Sequence, residues 1–189
     1  MKHIIVTLVL TTSLFNFVKG QDTIKKKITL PAGKRNAISA GVALPMGNFS
    51  NTHFIGFEAG YMRSNRRFGQ LKINPSKPLG LVAAAGGSNY LGKNEKLDSF
   101  TYAYANYMHV YIHGGIIYNP CRYGNIILIL GPGMSFYNGT ERFVFGVTLL
   151  ASYYFSSKFS VSPGISAMKE SISDPLWTGS LKMSYFFNQ

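Results

Sequence analysis

From Phe143 to Phe187 the chain repeats one pattern three times, with bulky apolar residues at every second position and small polar residues between them. In the last repeat Trp177, Gly179, Leu181, Met183, Tyr185 and Phe187 share one parity, and Thr178, Ser180, Lys182 and Ser184 the other. The middle repeat sets Phe159, Val161, Ile165 and Ala167 against Ser160, Ser162, Gly164 and Ser166. The first sets Phe143, Phe145, Val147, Leu149, Ala151, Tyr153 and Phe155 against Gly146, Thr148, Ser152 and Tyr154. A period of two is the signature of a β-strand with two unlike faces, and it excludes a helical reading of this stretch.

The polar parity decides which face is wet. A sheet with one side in open water spends Lys, Glu and Arg there, whereas this one spends Ser, Thr and Gly, which fit the crowded, hydrated interior of a narrow barrel. The apolar parity carries rings near the ends of its segments: Phe143, Tyr153 and Phe155 in one, Trp177, Tyr185 and Phe187 in another. Rings at both ends of a membrane-length strand make the interfacial girdles of transmembrane barrels. The expectation is a protein that is apolar outside and polar inside.

A chain of 189 residues suffices for one closed sheet of eight strands. Lys2 and His3, the apolar run Ile4 to Val18 and the small-residue site Val18-Lys19-Gly20 read as a signal peptide over residues 1–20, cleaved near Gly20. No later apolar run reaches the ~18 residues of a helical span. An exported chain without a helical anchor is either soluble outside the cytoplasm or a membrane barrel. Cleavage takes Lys2 and Lys19 away and lowers the formal charge from +12 to +10. Most of the remainder sits in residues 21–35 and around 63–77, where it would be solvated or face anionic headgroups. Export argues against a nucleic-acid partner. Cys121 is the only cysteine, so no internal disulfide forms, and its distance from the cleavage site argues against an N-terminal lipid anchor.

Residues 21–35 are a basic lead-in without periodicity, and the barrel domain is expected over 36–189. Strand one is predicted over Ala37 to Leu44, strand two over His53 to Met62, and a long basic connection over 63–78. Strand three, Leu79 to Tyr90, has a register that Ala83, Ala84, Ala85, Gly86 and Gly87 leave nearly unreadable. A polar loop is expected over 91–104, then strands over Ala105 to Tyr118 and Asn125 to Tyr137. Asn138-Gly139 gives a strong hairpin signal into strand six, and 169–175 is read as the last loop. Pro132-Gly133-Met134-Ser135 returns as Pro163-Gly164-Ile165-Ser166. Proline removes a ladder donor, so a bulge or bend is expected at each.

With the signal, the opening Gly41-Val42-Ala43-Leu44-Pro45-Met46-Gly47-Asn48-Phe49 and the aromatic final strand, the chain resembles the small outer-membrane β-barrel family of the OmpX and OmpA membrane-domain type. The resemblance covers most of residues 36–187. It implies a bacterial outer-membrane location, outer-membrane lipids around the barrel and insertion by the barrel assembly machinery, which reads a terminal aromatic. Here Tyr185-Phe186-Phe187 is followed by Asn188 and Gln189, a departure from that pattern.

His109-Val110-Tyr111-Ile112-His113 has the spacing of two metal ligands on a helix. On a strand the two histidines share a face roughly 13 Å apart, too far for one zinc. His109, Tyr111 and His113 are therefore read as barrel-interior polar groups, with no metal. Glu58 and Lys182 also fall on the inward parity. An unpaired interior charge is costly, so Glu58 is expected to pair with an interior cation, Lys182 first and a histidine second. No nucleophile, base and acid are gathered by any local motif, and neither Gly131-Pro132-Gly133 nor Gly86-Gly87 has the context of a phosphate loop. No catalytic residue and no cofactor is assigned.

The reading is all-β: an antiparallel eight-stranded up-and-down transmembrane β-barrel, monomers being the expected state, with a structural, adhesive or surface-interaction role carried by its outward loops and an extracellular ligand unspecified. Two other readings are a narrow ion or small-solute pore and a soluble periplasmic carrier of a small apolar ligand, in the manner of lipocalins. The carrier would turn Phe145, Val161 and Leu181 inward.

Overall fold

The computed structural model describes residues 34–65, 79–121, 123–171 and 173–187. Eight strands close into one barrel: β1 (Lys34–Met46), β2 (His53–Asn65), β3 (Leu79–Gly92), β6 (Tyr107–Cys121), β7 (Gly124–Tyr137), β8 (Thr140–Tyr154), β9 (Phe159–Glu170) and β10 (Leu176–Phe187). The order around the wall is β1-β10-β9-β8-β7-β6-β3-β2, and every neighbouring pair is antiparallel. An even count puts Lys34 and Phe187 at the same end, called here the terminal end. The shortest barrel strands have 12 residues, about 40 Å of chain, which at a tilt of about 45° crosses a ~30 Å hydrocarbon layer.

Burial alternates along the wall as the parity requires. Ile112 is 71% exposed, Phe143 60% and Leu181 51%, while Thr148, Ser152, Ser162, Ser166, Ser180 and Ser184 are buried inside. Neighbours resolve the register of β3, which its own Ala/Gly run conceals. Ser88 stands between Glu58 on β2 and His109 on β6, so Val82, Ala84, Ser88 and Tyr90 face inward.

Several local expectations change. β1 starts at Lys34, so Arg35, placed by sequence in the lead-in, is an inward residue of the barrel. The stretch expected as a polar loop over 91–104 folds into a separate two-stranded ribbon, β4 (Asn94–Leu97) with β5 (Phe100–Ala103). β6 continues through Pro120 to Cys121, past the expected strand end at Tyr118. β9 runs to Glu170, so the start of the expected last loop is strand. Neither Pro132 nor Pro163 produces a register shift. Pairing is interrupted at Pro132 only toward β6 and at Pro163 only toward β8. In an antiparallel ladder a residue's N–H and C=O point to the same neighbour, so a missing donor affects one side and the other side holds the register. The actual irregularities lie at strand ends, between His53 and Ile55 and between Tyr118 and Cys121. Asn138 and Gly139 have φ of 49° and 75°, the left-handed pair of a tight hairpin turn. The expected signal peptide and residues 66–78 of the expected connection lie outside the described residues, and residues 63–65 belong to β2.

The interior is layered. At the far end Phe49, Tyr90, Tyr107, Val144 and Met168 form an apolar cluster. Phe49 comes from a helical turn, α1 (Phe49–Thr52), that dips back into the barrel mouth. At the terminal end Val82, Ala84, Ile117, Ile127, Ile129 and Leu150 form a second cluster, and Ala37, Tyr154 and Phe186 a third. Glu58, Lys182, His109 and His113 occupy the middle, and further buried polar groups lie toward both ends, among them Asn36 and Asn125 at the terminal end and Ser135 and Glu170 at the far end.

Gly115 marks where the wall has no slack. A Cβ built there would lie 1.9 Å from the Leu128 carbonyl oxygen, and a backbone atom held in the ladder cannot step aside. Gly115→Ala is expected to cost about 1–3 kcal/mol, measured as a lower urea midpoint for loss of the folded barrel.

Candidate functional site

Glu58 on β2 and Lys182 on β10 meet in the polar middle layer, with Lys182 Nζ 2.6 Å from Glu58 Oε2. Gly41 of β1 pairs with both residues, one on each side. Its missing side chain leaves the two long ones free to meet over the intervening strand. The Tyr90 hydroxyl donates to Glu58 Oε1 at 3.2 Å. Both charged residues are 8% exposed, so each satisfies the other in a place where a single charge would be expensive.

His109, Tyr111 and His113 of β6 point inward on successive positions of one face. Their rings stack in a column, His109 to Tyr111 at 5.5 Å and Tyr111 to His113 at 4.5 Å between centroids, each pair tilted by 27°. Tyr111 thus separates the imidazoles. The facing strands supply notches, because a Cβ on Gly133 would lie 2.6 Å from His109 Nε2 and one on Gly146 2.8 Å from His113 Cε1. Among the described residues no three of His, Cys, Asp and Glu gather as a metal site.

The sequence reading missed Glu170. Its Oε1 accepts from Tyr107 at 3.0 Å and Ser135 at 2.7 Å, and its Oε2 pairs with Arg142 at 2.9 Å and accepts from Ser173 at 3.3 Å. This carboxylate ties β6, β7, β8 and the 171–175 loop together at the far end. The signal was available, since Glu170 follows Ser166 and Met168 on the inward parity of β9, just past the point where the strand was ended.

The far end also carries the ribbon. Phe100 and Tyr102 are exposed on it, and Tyr102 packs edge-on against Tyr104 at 4.8 Å. Lys93 N–H donates to the Thr52 carbonyl at 2.8 Å and Lys93 Nζ to the Ser50 carbonyl at 2.5 Å, which anchors the ribbon's base to α1. The Tyr104 hydroxyl donates to Glu95 at 2.9 Å. That bond to a carboxylate raises the Tyr104 phenol above its ordinary pKa.

At the terminal end the Arg35 guanidinium lies 4.2 Å from the Phe186 ring centroid and donates from Nη2 to the Ser157 carbonyl at 2.6 Å. Outside, rings touch in series around the rim: Phe155 with Phe159, Phe159 with Tyr185, Tyr185 with Phe187, and Phe187 with Tyr61. Phe143 and Trp177 stand exposed toward the other rim, and Tyr153 is half-buried at the terminal one.

Among the described residues, two interior cavities measure about 30 and 10 Å³, each with room for a water or two rather than an apolar ligand. Phe145 and Leu181 face outward and Val161 lies on the same parity. A lipocalin-like carrier would need them inside, so that reading is set aside.

No family model matches the sequence, and no curated protein matches it. Among solved structures, the fold is similar to that of Ail, the attachment invasion locus protein of Yersinia pestis. Its crystal structure superposes with a TM-score of 0.54 at 13% identity over 83% of this chain and 100% of that one. Ail in complex with the heparin analogue sucrose octasulfate gives 0.56 at 11% identity over 82% and 99%. The backbone structure of this outer membrane protein in a phospholipid bilayer nanodisc gives 0.55 at 13% identity over 82% and 99%. With its closed antiparallel wall, outward apolar face and inward hydroxyls, the chain has the fold of the small eight-stranded outer-membrane β-barrels.

Proposed function

We propose that this protein resides in the bacterial outer membrane as a monomeric barrel and acts through its far end, which faces outside the cell and carries a structural, adhesive or other surface-interaction role. The observation that carries the reading is the combination of a closed interior with a projecting ribbon. Side chains fill the barrel at both ends, which disfavours a pore, while Phe100 and Tyr102 stand exposed on β5. Contiguous exposed apolar surface marks contact sites, and among the described residues these rings project from the ribbon at the far end. Outer-membrane lipids surround the wall in this reading, and the barrel assembly machinery inserts it.

Charge separates two kinds of outside partner. Lys93, Lys96, Arg142 and Lys169 at the far end are offset by Glu95, Asp98, Glu141, Glu170 and Asp174. The described far end therefore has no cationic excess to attract a polyanion of the heparin type, and recognition is assigned to the aromatic ribbon.

Cell fractionation with gels run before and after boiling tests the location. The protein is expected in the outer-membrane fraction with a mobility that shifts on boiling, and recovery from the soluble periplasm would refute the proposal. In planar bilayers the purified barrel is expected to show no stable unitary conductance; regular single-channel steps would favour the pore instead.

A further inference from the structure

The two ends of the barrel differ in charge. Among the described residues the carboxylates of Glu95, Asp98, Glu141, Glu170 and Asp174 stand at the far end and that of Glu58 in the middle, which leaves the terminal end without one. Cations remain there: Arg63 near the end of β2 and Lys158 in the turn before β9 are both exposed. The ion pairs of the described residues join Arg142 to Glu170 and Lys182 to Glu58, so neither terminal cation is matched by a carboxylate of the described chain.

Both cations border one band of rings. Phe159, Tyr185, Ile38 and Tyr61 are successive partners across β9, β10, β1 and β2, so they stand at one level of the outer wall. Ring contacts run along it, Phe159 to Tyr185 at 5.1 Å, Tyr185 to Phe187 at 6.4 Å and Phe187 to Tyr61 at 6.4 Å between centroids. Lys158 lies one residue and Arg63 two residues beyond that level toward the terminal end. Rings of this kind settle at the headgroup level of a bilayer, which places the two cations at the lipid phosphates. From β9 to β2 is three strand spacings, about 14 Å. That is too far for one phosphate to serve both, and each cation meets its own headgroup.

We propose that the terminal rim over β9, β10, β1 and β2 is a binding surface for anionic phospholipids of the adjoining leaflet, with the rings against the glycerol and upper acyl chains and with Lys158 and Arg63 on the phosphates. Net negative headgroups are selected because a zwitterionic lipid brings its own cation to the same phosphate. The inference rests on the membrane residence proposed above and adds which lipid the barrel holds and on which arc of its wall.

The test places a reporter on that arc. Trp177→Phe/Phe159→Trp moves the single tryptophan into the ring band, and its quenching by brominated phosphatidylcholine is followed in vesicles as phosphatidylglycerol displaces the quencher. At low ionic strength phosphatidylglycerol is expected to bind there about fivefold more tightly than phosphatidylcholine, the ratio that about 1 kcal/mol per surface cation gives. Adding Lys158→Gln and Arg63→Gln is expected to bring the ratio near one. In the wild type Trp177 reports the other rim, where Glu141 and Asp174 offset Lys169, and a ratio near one is expected. A ratio near one at position 159, one that survives loss of both cations, or an equal preference at Trp177 would overturn the proposal. Quenching by brominated phosphatidylcholine at neither position would mean that the chain does not insert, which sinks the membrane reading together with this inference. Should the reporter variant fail to fold, phosphatidylglycerol molecules retained from mixed micelles are counted by native mass spectrometry on the wild type and on Arg63→Gln/Lys158→Gln. More on the wild type supports the surface, and equal numbers refute it.

Discussion

Leu181→Arg is expected to destabilise the barrel by about 2–4 kcal/mol in a lipid bilayer, the cost of an arginine at the midplane on the lipid side of a membrane barrel. Leu181 is 51% exposed near the middle of β10. In a water-soluble protein a side chain that exposed would accept arginine within about 0.5 kcal/mol. The same replacement at Asp174, exposed in the far-end loop, is the control and is expected to stay within that smaller margin. Equilibrium urea unfolding in vesicles, followed by fluorescence of the single tryptophan, reads both. A Leu181 variant as stable as the control would mean that hydrocarbon does not contact this face.

Lys182→Met is expected to cost about 3–5 kcal/mol, because it strands the Glu58 carboxylate in the interior. Restoring electrical balance with Glu58→Gln in the same chain is expected to recover most of that loss, since a neutral amide still accepts from Tyr90 and no longer needs a cation. The comparison separates what the ion pair contributes from what its half-removal does. If the single and double variants were equally unstable, the loss would come from packing of the lysine stem, and the electrostatic account of the middle layer would fail.

Much of the wall was legible because parity is a local property. Glu58 on β2 and Lys182 on β10 could each be placed inside from immediate neighbours alone, and so could the histidines of β6. That the two charges touch depends on Gly41, which belongs to a third strand and matters only once β1 is seated between β2 and β10. Glu170 was lost by ending β9 too early: the signal that closes a strand is a turn residue, and Pro175 lies well beyond it. The β4–β5 ribbon was hidden for a different reason, since Glu95, Lys96, Asp98 and Ser99 give a short hairpin the composition of a loop.

The sequence by itself determined the inside-out character of this protein and the faces of most barrel strands, because a period of two and a choice of hydroxyls over charges are written residue by residue. Tertiary structure alone decided the register of β3, the apolar layers that close the interior and the meeting of Glu58 with Lys182 across β1. Those depend on which residues from distant strands arrive at one level of the barrel, and that is set by closure of the sheet, a property no single strand possesses.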